Sequence, residues 1–393
     1  MSDSTVILNA RLPQQPGLYQ IVMVGNLVQS IQPMAAAQHR TAQTLDVAGD
    51  WISPGVVDLQ INGALGLAFP DMRAAHYEKL QSICKLLWQQ GVDGFCPTLV
   101  TTSLENFHGS LAAIAQFKQQ SSDSGSAKIL GVHLEGPFLN PAKRGAHPAE
   151  YLQPLSLEAV EALIGEFAET VKIITLAPEL AADEGVIEWL NDRQITVSLG
   201  HSLATAEQAN RAFAQGATMV THAFNAMPGL HHREPGLLGA ALTDPRVFCG
   251  FIADGEHICP TMLDWLVRSG RGSLDAPMGG LFLVSDALSP LGLPDGTYPW
   301  DTRQIAVVSG TARLADGTLA GTTLPLIEGA KNLVKWEICS VDEAIALVAQ
   351  IPRQALSLPA LSPGSPAQLL RWHHDQTTQQ LIWQRLHLEA ASL

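Results

Sequence analysis

The chain has 393 residues, of which 46% are hydrophobic and only 15% are charged, so it can fill a large folded core. This length fits one large barrel with a small accessory domain, or two to three ordinary domains. The net charge of −14 argues against nucleic acid and anionic membrane surfaces as partners, because both attract positively charged proteins. An anionic small substrate would need local cations at its site.

Five widely spaced cysteines without a Cys-x-x-Cys pair indicate thiols that act as small apolar side chains in a reducing compartment. The first residues contain neither a basic leader nor a long apolar stretch, which predicts no secretory signal. No apolar run approaches the ~20 residues that span a bilayer. We therefore expect a cytoplasmic protein without a membrane partner.

The amino-terminal segment predicts a small β unit. Apolar and polar residues alternate within residues 4–50, around 6–8, 19–24 and 27–31, with proline and glycine between these runs.

The central part of the chain alternates short apolar runs with helical patterns. Eight runs, several flanked by glycine or proline, have the spacing of βα units. They lie at 55–61, 94–100, 129–134, 171–176, 195–199, 217–222, 247–252 and 281–286. Between the fifth and sixth runs, Thr205 followed by Gln208 predicts a helix that begins with a capping box. Eight such units predict an α/β fold, a TIM-like (β/α)₈ barrel.

The tail returns to strand-like segments at 367–372 and 380–383, which predict a hairpin. Both chain ends together predict one small β-sandwich beside the barrel. We place residues 1–53 and 355–393 in this small domain and residues 54–354 in the barrel.

Three potential metal ligands follow strand-like runs: Glu135 in His-Leu-Glu-Gly-Pro-Phe, His201 in Gly-His-Ser, and His222 in Thr-His-Ala-Phe-Asn. The carboxyl ends of barrel strands open onto one face, where loops gather catalytic groups. A single histidine in such a place is more often a core or loop residue. The three together favour a metal site, because Glu135 would be costly to bury without a cation. Such a site would leave one coordination position for water.

Three further polar residues lie at run ends. Asp286 ends the eighth run; it fits a helix cap equally well in isolation, but beside a metal site it is the candidate general base. Gln60 and Asn62 end the first run, where many barrel hydrolases carry His-x-His for a second metal. Neutral amides are poor metal ligands, so we expect one ion.

Polar loops after the sixth and seventh runs contain Arg233 and His257, candidates for binding phosphate or sugar hydroxyls, although most loop arginines are only solvated. An alternative comes from Gly-His-Ser-Leu-Ala around Ser202, which is close to the Gly-x-Ser-x-Gly elbow of serine hydrolases. That interpretation needs a triad with Asp286 and His373. It is the weaker one, because no HGGG-type oxyanion loop is evident.

These motifs resemble a known family, the N-acetylglucosamine-6-phosphate deacetylases of the amidohydrolase superfamily. The resemblance rests on the segments 54–63, 133–147, 200–202, 221–227 and 283–287, which occur in the family's order. The pairing of Gln-x-Asn with His-Leu-Glu-Gly-Pro and Thr-His-x-Phe-Asn-Ala-Met is highly specific. The tail departs from the pattern, since Gln368 replaces the usual aspartate. This departure affects the expectation for the hairpin of the small domain and does not affect the expected chemistry.

The resemblance implies hydrolysis of the acetamide of N-acetylglucosamine 6-phosphate to glucosamine 6-phosphate and acetate. It assigns Glu135, His201 and His222 to one divalent ion. A carboxylate with two imidazoles suits zinc first, with iron(II), cobalt and manganese as alternatives. Asp286 becomes the catalytic acid and base, and His147 hydrogen-bonds the substrate carbonyl as the oxyanion forms. The residues expected to bind the substrate are Gln60, Asn62, Ala146, Asn225, Ala226, Arg233, His257, Leu319, Ala320 and Gly321.

The resemblance also implies a homodimer, in which the loop carrying Arg233 reaches a neighbouring subunit's site. Alternatives remain within the enzyme class: the substrate is N-acetylgalactosamine 6-phosphate or an unphosphorylated cyclic amide. An alternative outside that class is a catalytically silent sugar-phosphate sensor, which the presence of Asp286 and all three ligands disfavours.

Overall fold

Eight parallel strands form the centre of the protein. The computed structural model describes residues 4–36, 43–120, 125–183, 185–270, 279–300 and 303–386. The strands are β1 (Val56–Ile61), β2 (Val92–Val100), β3 (Val132–Glu135), β4 (Val171–Leu176), β5 (Thr196–Leu199), β6 (Met219–Val220), β7 (Phe248–Phe251) and β8 (Leu281–Leu283). Each pairs in parallel with the next, from β1 to β8. All eight predicted runs are therefore confirmed as strands.

Hydrogen bonds just beyond β8 close the barrel. The backbone N of Asp286 donates to the carbonyl of Gln60, and the N of Asn62 donates to the carbonyl of Ala287, both over 2.8 Å. All six residues of β1 are buried, as expected for a strand with the barrel interior on one side and helices on the other. The TIM-like barrel predicted from the sequence is confirmed.

A helix follows each barrel strand. The helices are α1 (Tyr77–Gln89), α2 (Leu104–Gln120), α3 (Leu157–Ile164), α4 (Val186–Asp192), α5 (Ala206–Ala214), α6 (Gly236–Thr243), α7 (Pro260–Gly270) and α8 (Leu326–Lys335). The predicted capping box of α5 is confirmed: the N of Gln208 donates to Thr205 Oγ1, and the N of Thr205 donates to Gln208 Oε1. After α8 the chain continues through Val341–Ile345, a π-helical turn at Ala346–Gln350, and Ile351–Ala355.

Short elements decorate the loops. A two-strand ladder joins Gly63–Ala64 to Leu67–Ala68, and Lys128–Ile129 adds to the edge of β2. Single 3₁₀ turns lie at Met34–Ala36, Phe69–Asp71, Ala74–His76, Pro141–Lys143, Ala149–Tyr151 and Pro178–Leu180.

Both chain ends build a second, smaller core. One sheet contains Ser4–Ala10, Tyr19–Val24, Leu27–Pro33 and Gln43–Asp46, and the other contains Trp51–Pro54, Leu369–Asp375 and Gln380–Arg385. Ile7 and Ile21 of the first sheet and Ile52 and Leu369 of the second share one apolar cluster. The predicted tail hairpin is confirmed. The domain boundaries stay predictions, and residues 1–3, 37–42 and 387–393 of the small domain lie outside the described residues.

A four-stranded antiparallel sheet between β8 and α8 was not predicted. It consists of Gly296–Trp300, Arg303–Val308, Thr311–Arg313 and Leu319–Thr322, and we call it the insertion sheet. Its last strand bridges to Ala287, immediately after Asp286. The insertion sheet therefore lies at the carboxyl end of the barrel. Among the described residues, no helix combines the length and apolar character needed to cross a membrane.

Candidate functional site

The ends of four barrel strands supply the central side chains of the site. Glu135 is the last residue of β3, His201 and His222 follow β5 and β6 by two residues, and Asp286 follows β8 by three. His201, His222 and Asp286 have positive φ angles of 49°, 30° and 49°. Non-glycine residues rarely adopt this conformation, and such strain concentrates at functional sites.

Glu135, His201 and His222, which we call the ligand triad, converge on one point. Nε2 of His201 and Nε2 of His222 lie 3.0 and 3.1 Å from Oε1 of Glu135, and the two nitrogens are 3.0 Å apart. The three residues are only 3–5% exposed. Two imidazoles and a carboxylate at this spacing form a donor set for a divalent ion.

The hydrogen bond on the far side of His201 tests whether the triad fits a cation. Nδ1 of His201 donates to the carbonyl of Lys143 over 2.8 Å, so a neutral ring carries a lone pair on Nε2. That lone pair faces the Glu135 carboxylate, which also has only lone pairs to offer. A cation satisfies both groups, so the donor set fits. Nδ1 of His222 has no hydrogen-bond partner among the described residues, and the fit of His222 rests on the position of its Nε2.

Within the ligand triad, interactions between neighbouring groups shift the pKa values of Glu135 and His222 in the direction opposite to the effect of burial. Burial alone would raise the pKa of Glu135, but the neighbouring His201 and His222 hold it well below its ordinary value. Burial alone would lower the pKa of His222, but the Glu135 carboxylate raises it. The pocket therefore keeps Glu135 ionised, the form in which it binds a metal.

His147 is a buried neighbour of the triad. One of its ring nitrogens lies within 4.8 Å of Glu135 and His201, so these three residues form an alternative donor group. However, Nδ1 of His147 accepts a hydrogen bond from the backbone N of Thr101 over 3.2 Å. We favour His222 as the third ligand, because its Nε2 is 3.0–3.1 Å from both other donors. Burial, with the charge of His201, lowers the pKa of His147 to about 3, so this ring is neutral with its proton on Nε2.

Two amide side chains hold Asp286. Nε2 of Gln60 donates to Oδ1 of Asp286 over 3.2 Å and to Oε1 of Glu135 over 3.1 Å. Nδ2 of Asn62 donates to the same Oδ1 over 2.7 Å. Burial, followed by the charge of Glu135, raises the pKa of Asp286 to about 6. Gln60 therefore joins the ligand triad to a carboxyl group that can exchange a proton near neutral pH.

The loops after β3, β5 and β6 contact one another at the mouth of the barrel. The N of Ser202 donates to the carbonyl of Ala226 over 3.2 Å, and Nζ of Lys143 donates to the carbonyl of Met227 over 3.1 Å. Asn225 lies in the same turn as Ala226. The structure thus brings two expected substrate residues next to the loop that carries His201.

The insertion sheet brings further expected residues to this face. Nη2 of Arg303 donates to the carbonyl of Ala146 over 3.3 Å. The N of Leu288 donates to the carbonyl of Thr322 over 2.8 Å, so residues 319–321 lie in a strand tied to the Asp286 loop. No pattern in the sequence singles out Arg303, because an arginine in an exposed hairpin is ordinarily solvated.

His257 and Arg233 differ in how the chain holds them. His257 lies in the loop that follows β7, at the end of the barrel where the ligand triad also lies, and its Nδ1 donates to Oδ2 of Asp254 over 2.6 Å. Arg233 is exposed, and the contacts of the described residues do not join its side chain to the ligand triad. Sequence reasoning missed Asp254, although its place three residues before His257 was visible.

The serine-hydrolase alternative is wrong. Oγ of Ser202 donates to Oε2 of Glu179 over 2.6 Å instead of to a histidine. His373, on the strand Leu369–Asp375, pairs with Asp50, over 2.8 Å between Nδ1 and Oδ1. Because both side chains have other partners, Ser202, His373 and Asp286 do not form a triad.

Comparison with known proteins agrees with this geometry. The amidohydrolase family model matches residues 51–380. The chain is 36% identical over 321 residues to an N-acetylglucosamine-6-phosphate deacetylase of Bos taurus, covering 80% of this chain and 76% of the relative. It is 31% identical over 370 residues to an N-acetylgalactosamine-6-phosphate deacetylase of Escherichia coli O157:H7, covering 93% of each. The crystal structure of N-acetylglucosamine-6-phosphate deacetylase from Thermotoga maritima is similar with a TM-score of 0.78 at 26% identity, over 98% of both chains.

Proposed function

This chain belongs to the amidohydrolase family, among its N-acetylglucosamine-6-phosphate deacetylases, and on that premise we propose the reaction it performs. It hydrolyses the acetamide of N-acetyl-D-glucosamine 6-phosphate to D-glucosamine 6-phosphate and acetate. The observation that carries the proposal is the Gln60 amide, which joins Glu135 of the ligand triad to Asp286. A metal-ligating carboxylate and a proton-exchanging carboxyl group are thereby held side by side.

The ligand triad would hold one divalent ion. When bound, the ion supplies Lewis acidity, which polarises a carbonyl and lowers the pKa of water toward ~7. One carboxylate and two imidazoles suit zinc best, with iron(II), cobalt and manganese as alternatives. The superfamily chemistry is metal-dependent, and the choice of zinc is our proposal.

Asp286 is the catalytic base and acid in this proposal. Both amide donors reach its Oδ1, so Oδ2 is the oxygen that takes a proton from the attacking water. The water oxygen forms a bond to the acetamide carbon. Asp286 then returns the proton to the nitrogen as the carbon–nitrogen bond breaks, and acetate and the free amine leave.

His147 stabilises the charge that develops on the substrate carbonyl. Because Thr101 donates to its Nδ1, the neutral ring keeps its proton on Nε2 and donates it as a hydrogen bond to the carbonyl oxygen. A neutral donor suits this role, since it remains protonated throughout the catalytic cycle.

The remaining expected residues surround the sugar phosphate. We assign Asn225, the backbone N of Ala226, Arg233 and His257 to the phosphate and sugar hydroxyls, and residues 319–321 to the wall of the sugar pocket. Substrate binding is also assigned to Gln60, Asn62 and Ala146. The cationic side chains of Lys143 and Arg303 lie at this face and support an anionic substrate, although the chain has a net charge of −14.

The decisive experiment measures acetate release from purified protein with N-acetylglucosamine 6-phosphate and with unphosphorylated N-acetylglucosamine. We expect turnover of the phosphorylated sugar, loss of turnover after dialysis against a chelator, and recovery on adding zinc. Full activity after exhaustive demetallation would contradict the proposal. Tight binding without any acetate release, in protein with full metal content, would favour the sugar-phosphate sensor.

A second candidate substrate is N-acetylgalactosamine 6-phosphate, because a relative named N-acetylgalactosamine-6-phosphate deacetylase aligns with 93% of this chain at 31% identity. The ratio of kcat/KM values for the two epimers decides between them. We expect the glucosamine epimer to be preferred.

We also propose a cytoplasmic homodimer in which Arg233 reaches the partner's site. The exposed position of Arg233 supports this arrangement. Light scattering checks the mass, and co-expression of Arg233→Ala with Asp286→Asn chains checks the shared site. Mixed dimers regain activity only if one site draws both residues from different chains.

A further inference from the structure

One buried carboxylate organises the loop that carries His257. Oδ1 of Asp254 accepts hydrogen bonds from the backbone N of Glu256 and of His257, both over 2.9 Å. Oδ2 of Asp254 accepts the Nδ1–H of His257 over 2.6 Å. The Asp254 side chain is only 5% exposed. A carboxylate that accepts three hydrogen bonds in one loop fixes both the backbone and the ring.

Electrostatics keep this carboxylate ionised. Burial alone would raise the pKa of Asp254, but the hydrogen bonds from the ring and backbone of His257 outweigh burial and lower it. Because Oδ2 is an acceptor, Nδ1 of His257 must carry a proton. The ring therefore presents Nε2 as its remaining polar atom.

Two contacts and one close approach of the backbone join the same loop to its neighbours. Nδ2 of Asn332 donates to the carbonyl of Ala253 over 2.9 Å. Gly255 has a φ of +84°, and a Cβ there would lie 3.0 Å from the ring of Trp336. Glu256 forms an ion pair with Arg313 of the insertion sheet. The His257 ring is thus held on a rigid support, as substrate-binding groups require.

We propose that Asp254 is a positioning residue for substrate recognition, which holds His257 in the Nδ1–H form so that the lone pair on Nε2 accepts a hydrogen bond from a hydroxyl group of the sugar phosphate. This inference rests on the proposed function, which assigns His257 to the substrate. Asp254 itself acts only through His257, so the two residues form one recognition unit.

The substitution Asp254→Asn separates positioning from loop structure. The amide oxygen of asparagine still accepts from the backbone N of residues 256 and 257, but its NH₂ group then faces Nδ1. His257 must accept there and move its proton to Nε2. We expect kcat/KM for the phosphorylated substrate to fall by ~10–100-fold, mainly through KM, as when the partner of a functional histidine is removed.

A double-mutant cycle tests whether Asp254 acts through His257. We expect Asp254→Asn to cost nothing further in a His257→Gln background, because coupled residues are not additive. Fully additive losses, or wild-type kinetics in Asp254→Asn, would overturn the proposal. Asp244→Asn is the matched control: Asp244 also accepts from a backbone N two residues ahead, that of Arg246, before β7, and its loss should leave the kinetics unchanged.

Nitrogen-15 NMR of the histidine rings in the substrate-free holoenzyme gives an independent readout. We expect His257, assigned through His257→Gln, to be protonated at Nδ1 in the wild type and at Nε2 only in Asp254→Asn. A wild-type ring without a proton on Nδ1 overturns the proposal, even if the variant fails to fold. If the ring has the expected form but the wild type releases no acetate, the proposed function has failed and the held geometry of His257 stands.

Discussion

The Gln60 side-chain amide donates to Oδ1 of Asp286 over 3.2 Å, across the seam that closes the barrel between β1 and β8. The same nitrogen donates to Oε1 of Glu135 over 3.1 Å. An amide at this position does not compete for a cation as an imidazole would. It orients two carboxyl groups toward one point, which explains why Gln-x-Asn is compatible with a single metal.

Replacing Asp286 by Asn removes the proton acceptor and keeps a side chain of the same shape. We expect kcat to fall by ~10³-fold or more, since positioned acid–base groups contribute ~10²–10⁴. The three metal-ligating side chains are untouched, so elemental analysis should find the wild-type metal content. Wild-type turnover in this variant would show that another group is the base.

The activity of the wild type should fall on the acid side of neutrality. The pKa of Asp286 is raised to about 6 by burial and by the charge of Glu135, and only its ionised form accepts a proton. We therefore expect kcat to fall tenfold per pH unit below about pH 6. Initial rates of acetate release, measured at pH values from ~4.5 to ~8.5, check this decrease of kcat on the acid side.

Asn62→Ala provides the matched test of that assignment. The hydrogen bond from Asn62 stabilises the Asp286 carboxylate and lowers its pKa, so its removal should raise the pKa. The acid limb should move to higher pH, with a larger loss of activity at pH 6 than at pH 8. An unchanged limb would assign it to a group other than Asp286.

His147 tests the oxyanion donor. His147→Phe keeps a ring of similar shape but cannot donate a hydrogen bond, and we expect kcat to fall by ~10²–10³-fold with little change in KM. His147→Gln retains an N–H donor and should recover part of the loss. Because the pKa of His147 is lowered to about 3, this residue does not titrate near neutral pH. The shape of the pH profile near neutrality should therefore be the same in the wild type and in both His147 variants. Equal rates in the two variants would exclude the donor role.

The predictable part of the molecule was the part with local signals. The barrel strands are short apolar runs flanked by polar residues, and side chains at their carboxyl ends must share one face. Glu135, His201, His222 and Asp286 could be placed together on that basis alone. The sequence could not identify the link between Gln60 and Asp286, because these residues are 226 positions apart and their contact depends on barrel closure.

The insertion sheet escaped prediction for a different reason. Its strands are short and half-exposed, with Val308 66% exposed, so they lack the continuous apolar run of a barrel strand. The role of Asp254 was not predicted, because an aspartate in a glycine-containing loop usually only stabilises a turn. Its function becomes visible only when its burial and the position of the His257 ring are known.

Asp58 offers a test of stability that is independent of catalysis. It is buried beneath the site, where Oδ1 accepts from the backbone N of Ser285 over 3.1 Å, and burial raises its pKa from 3.8 to about 7. Between those pH values the folded chain holds a proton that the unfolded chain has lost. The free energy of unfolding therefore decreases with rising pH through this window, as far as Asp58 is concerned.

Asp58→Asn removes this dependence, since asparagine is neutral and keeps an acceptor for Ser285. We expect the melting temperatures of variant and wild type to be similar at pH 4, and the variant to melt at a higher temperature at pH 8, measured by circular dichroism. Asp46→Asn is a control of opposite sign: hydrogen bonds from Asn9 and Ala48 lower the pKa of Asp46, so its contribution is present at neutral pH and is lost as the pH falls. A constant difference between Asp58→Asn and wild type from pH 4 to pH 8 would show that Asp58 is ionised in the folded protein.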